Sequence, residues 1–353
     1  MTAATKGEST MRSRHLATLA AGVISLGMMA SASAQTELTV IVYGGSFEEG
    51  WRKAVIEPFE KANPDIKVKI ATGLTMQTVA LMRAQKDDVR VDVTMMDEIG
   101  AAQANAERLY HPLDAAKIPN IEKLYPQFRT KGDPYTKFMF VSQALVYNKD
   151  MVKEKPTSWM AMWDPRYKGK IASPDITTSH GAFFLLTAAD MNGGGLKNVD
   201  PGFELLKKLK PSILTFYTQH AQLAQLFTQG DVVMASWTSD RGQAAIDGGA
   251  PLAWTIPKES AYIIDSTIGI TKGTKKLEAA QKYVDFVLSA EAQELNARHT
   301  YLGPVNREVK LPPEVAQKLP VADLDRLKIA DWDYVTTVRP QWTQRWNREI
   351  TSP

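Results

Sequence analysis

Apolar and polar positions along the chain fall into an alternation of strands and helices. Residues 38–42 form an apolar, β-branched run of strand length. Gly44 and Gly45 break it, and Ser46 stands where it can cap a helix over residues 47–62, in which Trp51, Val55 and Phe59 recur every fourth position. Residues 66–70 alternate with period two and predict a strand. A helix follows over 75–85, with Val79 and Met82 on one face. Residues 91–96 read as the next strand, with Asp97 and Glu98 at its carboxyl end, and 99–108 as another helix. Alternation of this kind implies a mostly parallel sheet covered on both faces.

The pattern continues with a long apolar strand over 138–147, expected to cross into a second lobe. Residues 156–165 predict a capped, tryptophan-bearing helix. A strand over 170–173 leads into the polar turn 174–181, and an apolar helix over 182–191 closes at three successive glycines, Gly193 to Gly195. Further helices are expected over 201–210 and 221–229, and strands over 213–217, 232–237 and 253–257. Residues 262–270 form a second long apolar run, expected to return to the first lobe, and 277–288 is an amphipathic helix. The expected fold is α/β with two lobes, each a mixed, mostly parallel sheet flanked by helices, and a ligand cleft between them. The first lobe takes residues 35–142 and 265–310, the second 143–264. Residues 311–353 form a C-terminal helical segment on the second lobe.

Composition adds bounds. The 353 residues are 44% hydrophobic and 23% charged, with a net charge of +3, so two domains are affordable and no broad basic surface for nucleic acid is implied. The arginines between 339 and 348 sit among tryptophans at ordinary helix spacing, which reads as a solvated amphipathic helix. Residues 1–34 read as a cleaved signal peptide: Arg12 and Arg14 precede an apolar run that ends in Ala32-Ser33-Ala34, and either Met1 or Met11 could start it. The chain has no cysteine, which excludes thiol catalysis, disulfides, Cys-ligated metals and a lipid-modified N-terminal Cys. Its five histidines are scattered and form no H-E-x-x-H, and the Gly44–Glu48 turn lacks the last glycine of a nucleophile elbow. No enzyme activity, cofactor or metal is expected.

Several phrases carry a family likeness: Tyr43-Gly-Gly-Ser-Phe, Thr157-Ser-Trp with Trp163-Asp-Pro-Arg-Tyr-Lys-Gly169, Leu288-Ser-Ala-Glu-Ala-Gln293, and Asp331-Trp-Asp with Trp342-Thr-Gln-Arg-Trp-Asn-Arg348. Over residues 38–350 the chain resembles the substrate-binding proteins of ATP-driven uptake systems, spermidine/putrescine-binding proteins and their kin. The resemblance implies a type 2 periplasmic binding fold and closure by a hinge at the crossing strands. It implies a small-molecule solute delivered to an ABC permease of the inner membrane, a periplasmic location and a monomer.

Candidate ligand residues follow. Tyr43, Gly45 and Ser46 line the first turn, where the polyamine proteins place an aromatic; here the two glycines occupy much of it. Asp97 can pair with an amine or cap the next helix. Thr177, Thr178 and Ser179 precede an apolar helix and suit an anion. Trp237 is expected at the cleft wall, beside Arg241, which suits a carboxylate or pairs with Asp240 or Asp247. Asp265, with Ser266, interrupts an apolar run; a buried carboxylate there is costly unless a protein cation or a ligand amine meets it. In the family, the Asp of this phrase serves the ligand amine. Thr218 and Tyr301 complete the set. The acidic members favour a polyamine-like amine. The hydroxyls and Arg241 favour a carboxylate or phosphonate, and a zwitterion would satisfy both.

Overall fold

A computed structural model describes residues 35–44, 46–259 and 261–352. The signal-peptide expectation therefore lies outside the described residues. β1 (Thr36–Val42) buries Leu38, Val40 and Val42 completely, as its alternation requires. The helix predicted over 47–62 is present but not uniform: α1 (Ser46–Trp51) passes through a π-helical turn, Arg52–Ile56, into α2 (Glu57–Ala62). β2 (Ile66–Thr72), α3 (Thr75–Ala84), β3 (Val93–Asp97) and α4 (Glu98–Ala106) complete the predicted alternation, and the short β4 (Tyr110–His111) was not anticipated.

β5 (Thr136–Asn148) is buried along all 13 residues. The tryptophan helix expected over 156–165 is instead two 3-10 turns, Trp159–Trp163 and Pro165–Tyr167, because Pro165 cannot donate to an α-helical ladder. Then come β6 (Ile171–Pro174), α5 (Ser179–Met191), α6 (Asp200–Leu209), β7 (Ile213–Tyr217), α7 (His220–Gln229), β8 (Met234–Thr238), α8 (Ser239–Asp247) and β9 (Leu252–Thr255). β10 (Ile263–Thr271), α9 (Leu277–Leu288), α10 (Ala290–Thr300), α11 (Pro313–Ala316) and α12 (Trp332–Trp346) finish the chain.

The strands form one mixed sheet in the order β2-β1-β3-β10-β5-β8-β6-β7, with β4 beside β10 and β9 beside β5. Pairing is parallel toward both ends and antiparallel in the middle, where β10 and β5 run against each other. β5 changes partner along its length: up to Ser142 it pairs with β10, and from Gln143 with β8. Between Ser266 and Thr267 the β10–β5 register slips by a bulge, so that Thr267 lies opposite Lys137. A bulge breaks period-two alternation and re-aims side chains. Here it lets Phe138 pack inward on Trp51 while Lys137 meets Glu98.

Aromatic contacts hold the first turn. Tyr43 meets Phe47 edge-on, Phe47 stacks on Trp51, and Trp51 donates from Nε1 to Tyr283 of α9 at 2.9 Å. α12 touches α4 and is joined to the other end of the sheet, where Trp332 meets Phe183 of α5 and Trp346 meets Phe216 of β7. The C-terminal helix is thus packed against elements on both sides of the β5–β10 pair.

Candidate functional site

Asp97 and Ser266 face each other across the β3–β10 ladder, and Tyr43 directly follows the neighbouring β1. The Tyr43 hydroxyl donates to Asp97 Oδ1 at 2.8 Å and lies 3.0 Å from Ser266 Oγ. Asp97 occupies the N-cap position of α4, yet its carboxylate makes no capping bond. It is aimed at Tyr43 instead. Burial raises its pKa above the usual carboxylate range, against the opposing pull of the Tyr43 and Thr75 hydrogen bonds and the Arg339 charge.

Asp265 is 4% exposed, and its Oδ1 has no hydrogen-bond partner. Its carboxyl is pushed up to about 7, first by burial and then by the Glu98 charge; Lys137 opposes the shift. The surroundings are a polar cavity of about 330 Å³ walled by Glu98, Tyr135, Lys137, Asp265, Asp331 and Trp332, among others. Tyr135 donates to Glu98 Oε1 at 2.8 Å, and Lys137 Nζ stands 3.2 Å from Glu98 Oε2. Lys137 is therefore committed to Glu98; Arg129 and Lys131 also line the cavity, Arg129 being paired with Glu122 and Asp133. A buried acid with an unpaired oxygen, in a cavity lined by a second acid, is chemically suited to a cation with several N–H donors.

Other candidates fall elsewhere. Thr178 caps α5: its Oγ1 accepts from Gly181 N at 3.0 Å and donates to Asp175 O at 2.7 Å. Exposed Thr177 donates to Asp175 Oδ1, and half-buried Ser179 opens the helix. Trp237, expected at the cleft wall, is buried. It is 1% exposed, stacks on Phe227 and donates to His220 Nδ1 at 2.8 Å, because β8 lies inside the sheet. Arg241 lies 3.6 Å from Asp240, and Tyr301 donates to Asp247 Oδ2 at 2.7 Å; Arg241 and Tyr301 share a small cavity of about 80 Å³ with Phe47. Thr218 is exposed after β7. Gly45 and the Ser46 side chain lie outside the described residues.

Sequence reasoning passed over Glu98, Tyr135, Lys137, Trp332 and Arg339. Lys137 lies one residue before the apolar run read at 138–147, and only the structure extends that buried strand back to Thr136. A larger groove, about 940 Å³, runs between α8, β9 and residues 316–326, but the unpaired Asp265 oxygen is not in it.

One buried pair resembles catalytic chemistry and is not. His180 Nε2 is 3.2 Å from Ser236 Oγ, and its Nδ1 is 3.1 Å from the Tyr217 hydroxyl. The Tyr217 proton goes to Ser236 O, so Nδ1 carries the imidazole proton and Nε2 accepts from Ser236. Ser236 is fully buried, beyond the reach of any substrate. Gln143 Nε2 donates to Ser236 Oγ, and Thr187 donates to Gln143 Oε1, which ties the network to β5. Burial holds the His180 pKa down to about 3, with the His220 charge adding to it. A depressed imidazole contributes stability above its unfolded pKa and loses it as pH falls. Wild type should lose on the order of 4 kcal/mol between pH 6.5 and 3 through this group. His180→Gln should flatten that part of a denaturation-versus-pH curve; an unchanged slope would show that His180 is not the group titrating.

The bacterial extracellular solute-binding protein family matches residues 54–321. The chain belongs to that family. Its members are binding proteins and not enzymes, in agreement with the inaccessible Ser236–His180 pair. The chain is 26% identical over 334 residues to the spermidine/putrescine-binding periplasmic protein of Escherichia coli K12, covering 91% of this chain and 92% of the relative. It is 25% identical to a gamma-aminobutyric acid-binding protein of Pseudomonas aeruginosa, with 92% and 94% covered. The crystal structure of an ABC transporter from Clostridium perfringens superposes with a TM-score of 0.75 at 28% identity, over 89% of this chain and 100% of that one. The mixed sheet, antiparallel at its centre where β5 meets β10, is the type 2 periplasmic binding fold. No helix among the described residues is long and apolar enough to cross a membrane.

Proposed function

We propose that this solute-binding protein serves an ABC importer in the periplasm, binding a small amine-bearing solute and delivering it to a membrane permease. The two lobes divide where β5 changes partner, residues 35–142 with 265–310 against 143–264, and the solute sits between them at the crossing strands. The observation that carries the reading is Asp265, a buried carboxylate whose Oδ1 lacks a partner. An ammonium group supplies the donor which that oxygen lacks. Tyr43, Asp97, Ser266 and Glu98 make up the rest of the amine end, and the Trp332 ring lines the wall. The relatives' names agree on this one element, since polyamines and gamma-aminobutyric acid both carry an amine.

A thermal-shift screen of amines, amino acids and organic acids tests it, because a ligand of the folded state raises the melting temperature. Amines should stabilise the protein, and a response confined to acids without an amine would overturn the reading. Proton linkage gives a second check. Asp265 holds its proton below about pH 7, and an ammonium must displace it. Amine affinity should therefore fall between pH 7 and 5, by up to about tenfold per unit. Titration calorimetry should detect proton release at pH 6, and affinity constant from pH 5 to 8 would remove Asp265 from the amine end.

A further inference from the structure

We infer that Arg339 is a specificity-determining residue that takes an anionic group at the far end of the solute, which makes the solute an ω-amino acid type of zwitterion. The inference rests on the amine reading and adds its second pole.

Arg339 lies on α12, seven residues after Trp332, so both point from one stripe of that helix. Trp332 walls the amine cavity. From there α12 carries Arg339 to the turn before α5, where its Nη2 donates to Thr177 O at 2.9 Å and, more weakly, to Ile176 O at 3.5 Å. Its charge is felt at Asp97, on the opposite side of the β5–β10 pair, yet the two form no ion pair. The guanidinium therefore stands between the carboxylate end of β3 and the first turn of α5.

Four features mark it as a ligand group. A guanidinium has five N–H donors in a planar fork. Only Nη2 is used by the protein; Nε and Nη1 have no protein acceptor among the described residues. The bonds it does make fix its direction, because the carbonyls of one turn hold the Nη2 edge. The backbone N–H groups that open α5 lie beside the same turn and add a favourable dipole for negative charge. Arg339 is also partly buried, which makes an unmatched charge costly and a carboxylate or phosphonate partner more valuable. A linear polyamine would bring a second ammonium toward this cation and be repelled by it. An ω-amino acid brings an oxyanion and is held at both ends.

The test is calorimetry on the full mature chain, comparing wild type, Arg339→Gln and Arg339→Lys. The probes are ω-amino acids of three to six carbons, the matching aminophosphonates, and the monoamine and diamine of each length. Wild type should bind the zwitterion of best length at least about 20-fold more tightly than its monoamine, the range expected for a charge-assisted bidentate contact. Arg339→Gln should erase that ratio by lowering zwitterion affinity far more than it changes monoamine affinity, with diamine affinity unchanged or raised. Arg339→Lys should recover part of it. The aminophosphonate arm tells which oxyanion is preferred. A ratio that survives Arg339→Gln, or a wild type that prefers the diamine, would overturn the assignment while leaving the amine end intact. A wild type that binds no amine at all would overturn the amine reading and this one together. The ratio separates ligand contact from a structural role, since general loosening of α12 would weaken all probes alike.

Discussion

Asp265→Asn should lower affinity for the amine solute at least tenfold and, at the same time, raise the stability of the ligand-free protein at pH 8. The first effect follows from removing a charged hydrogen bond, worth about 1.5–3 kcal/mol, from the ammonium. The second follows from the environment of the carboxyl. Its folded pKa lies near 7, well above the unfolded value, so the stability it contributes is complete below pH 4 and is lost as pH rises through 7. Above that pH the protein carries an ionised carboxylate that burial and Glu98 both disfavour. Asn cannot ionise, so the variant escapes this cost, and the two stability curves should converge near pH 4. Opposite signs for binding and stability are the signature of a group held at a cost for its ligand. Urea denaturation at pH 4 and pH 8, beside calorimetry with the tightest amine, checks both halves. A variant that binds normally, or one that is destabilised at pH 8, would make Asp265 a structural partner of Lys137.

The second large effect is expected at Gly181, in the first turn of α5. A Cβ there would stand 1.9 Å from the Asp175 carbonyl oxygen, 2.3 Å from its carbon and 2.7 Å from Ile176 Cα. All three are backbone atoms, so no side chain can swing aside. The Asp175 carbonyl is also held, accepting from Thr178 N and Thr178 Oγ1 at 3.0 and 2.7 Å. Gly181→Ala must therefore push the 175–178 turn off the helix, breaking the Thr178 cap and displacing the Thr177 carbonyl that orients Arg339. The cost should exceed about 3 kcal/mol, in the range of severe overpacking with loss of a cap. Thermal denaturation followed by circular dichroism measures it, and a melting temperature within about 1 °C of wild type would show that the turn has room to move.

Much of this architecture was legible before any coordinates. Period-two runs and β-branched content located most of the strands, because alternation reports which face of a strand is buried and burial is a local property. The two long apolar runs at 138–147 and 262–270 correspond to β5 and β10, the antiparallel pair at the centre of the sheet. Asp265 stood out for the same local reason, a charge where the pattern called for an apolar side chain. The tryptophan segment at 156–165 was misread because capping and aromatic spacing suit a short 3-10 turn as well as an α-helix.

The sequence by itself determined the alternation of elements, the family and the presence of one anomalous acid. Only the tertiary structure decided what that acid meets. Glu98 and Lys137 are far from Asp265 along the chain, and a bulge at Ser266 sets the register that brings β5 and β10 into this arrangement. Arg339 reaches the turn before α5 only because α12 packs back across the sheet, 162 positions from Thr177. Trp237 carried the same local signal as a cleft aromatic and turned out to be buried, since an indole beside a polar turn can face either way. Periodicity records whether a side chain is covered; register and crossing topology decide by what.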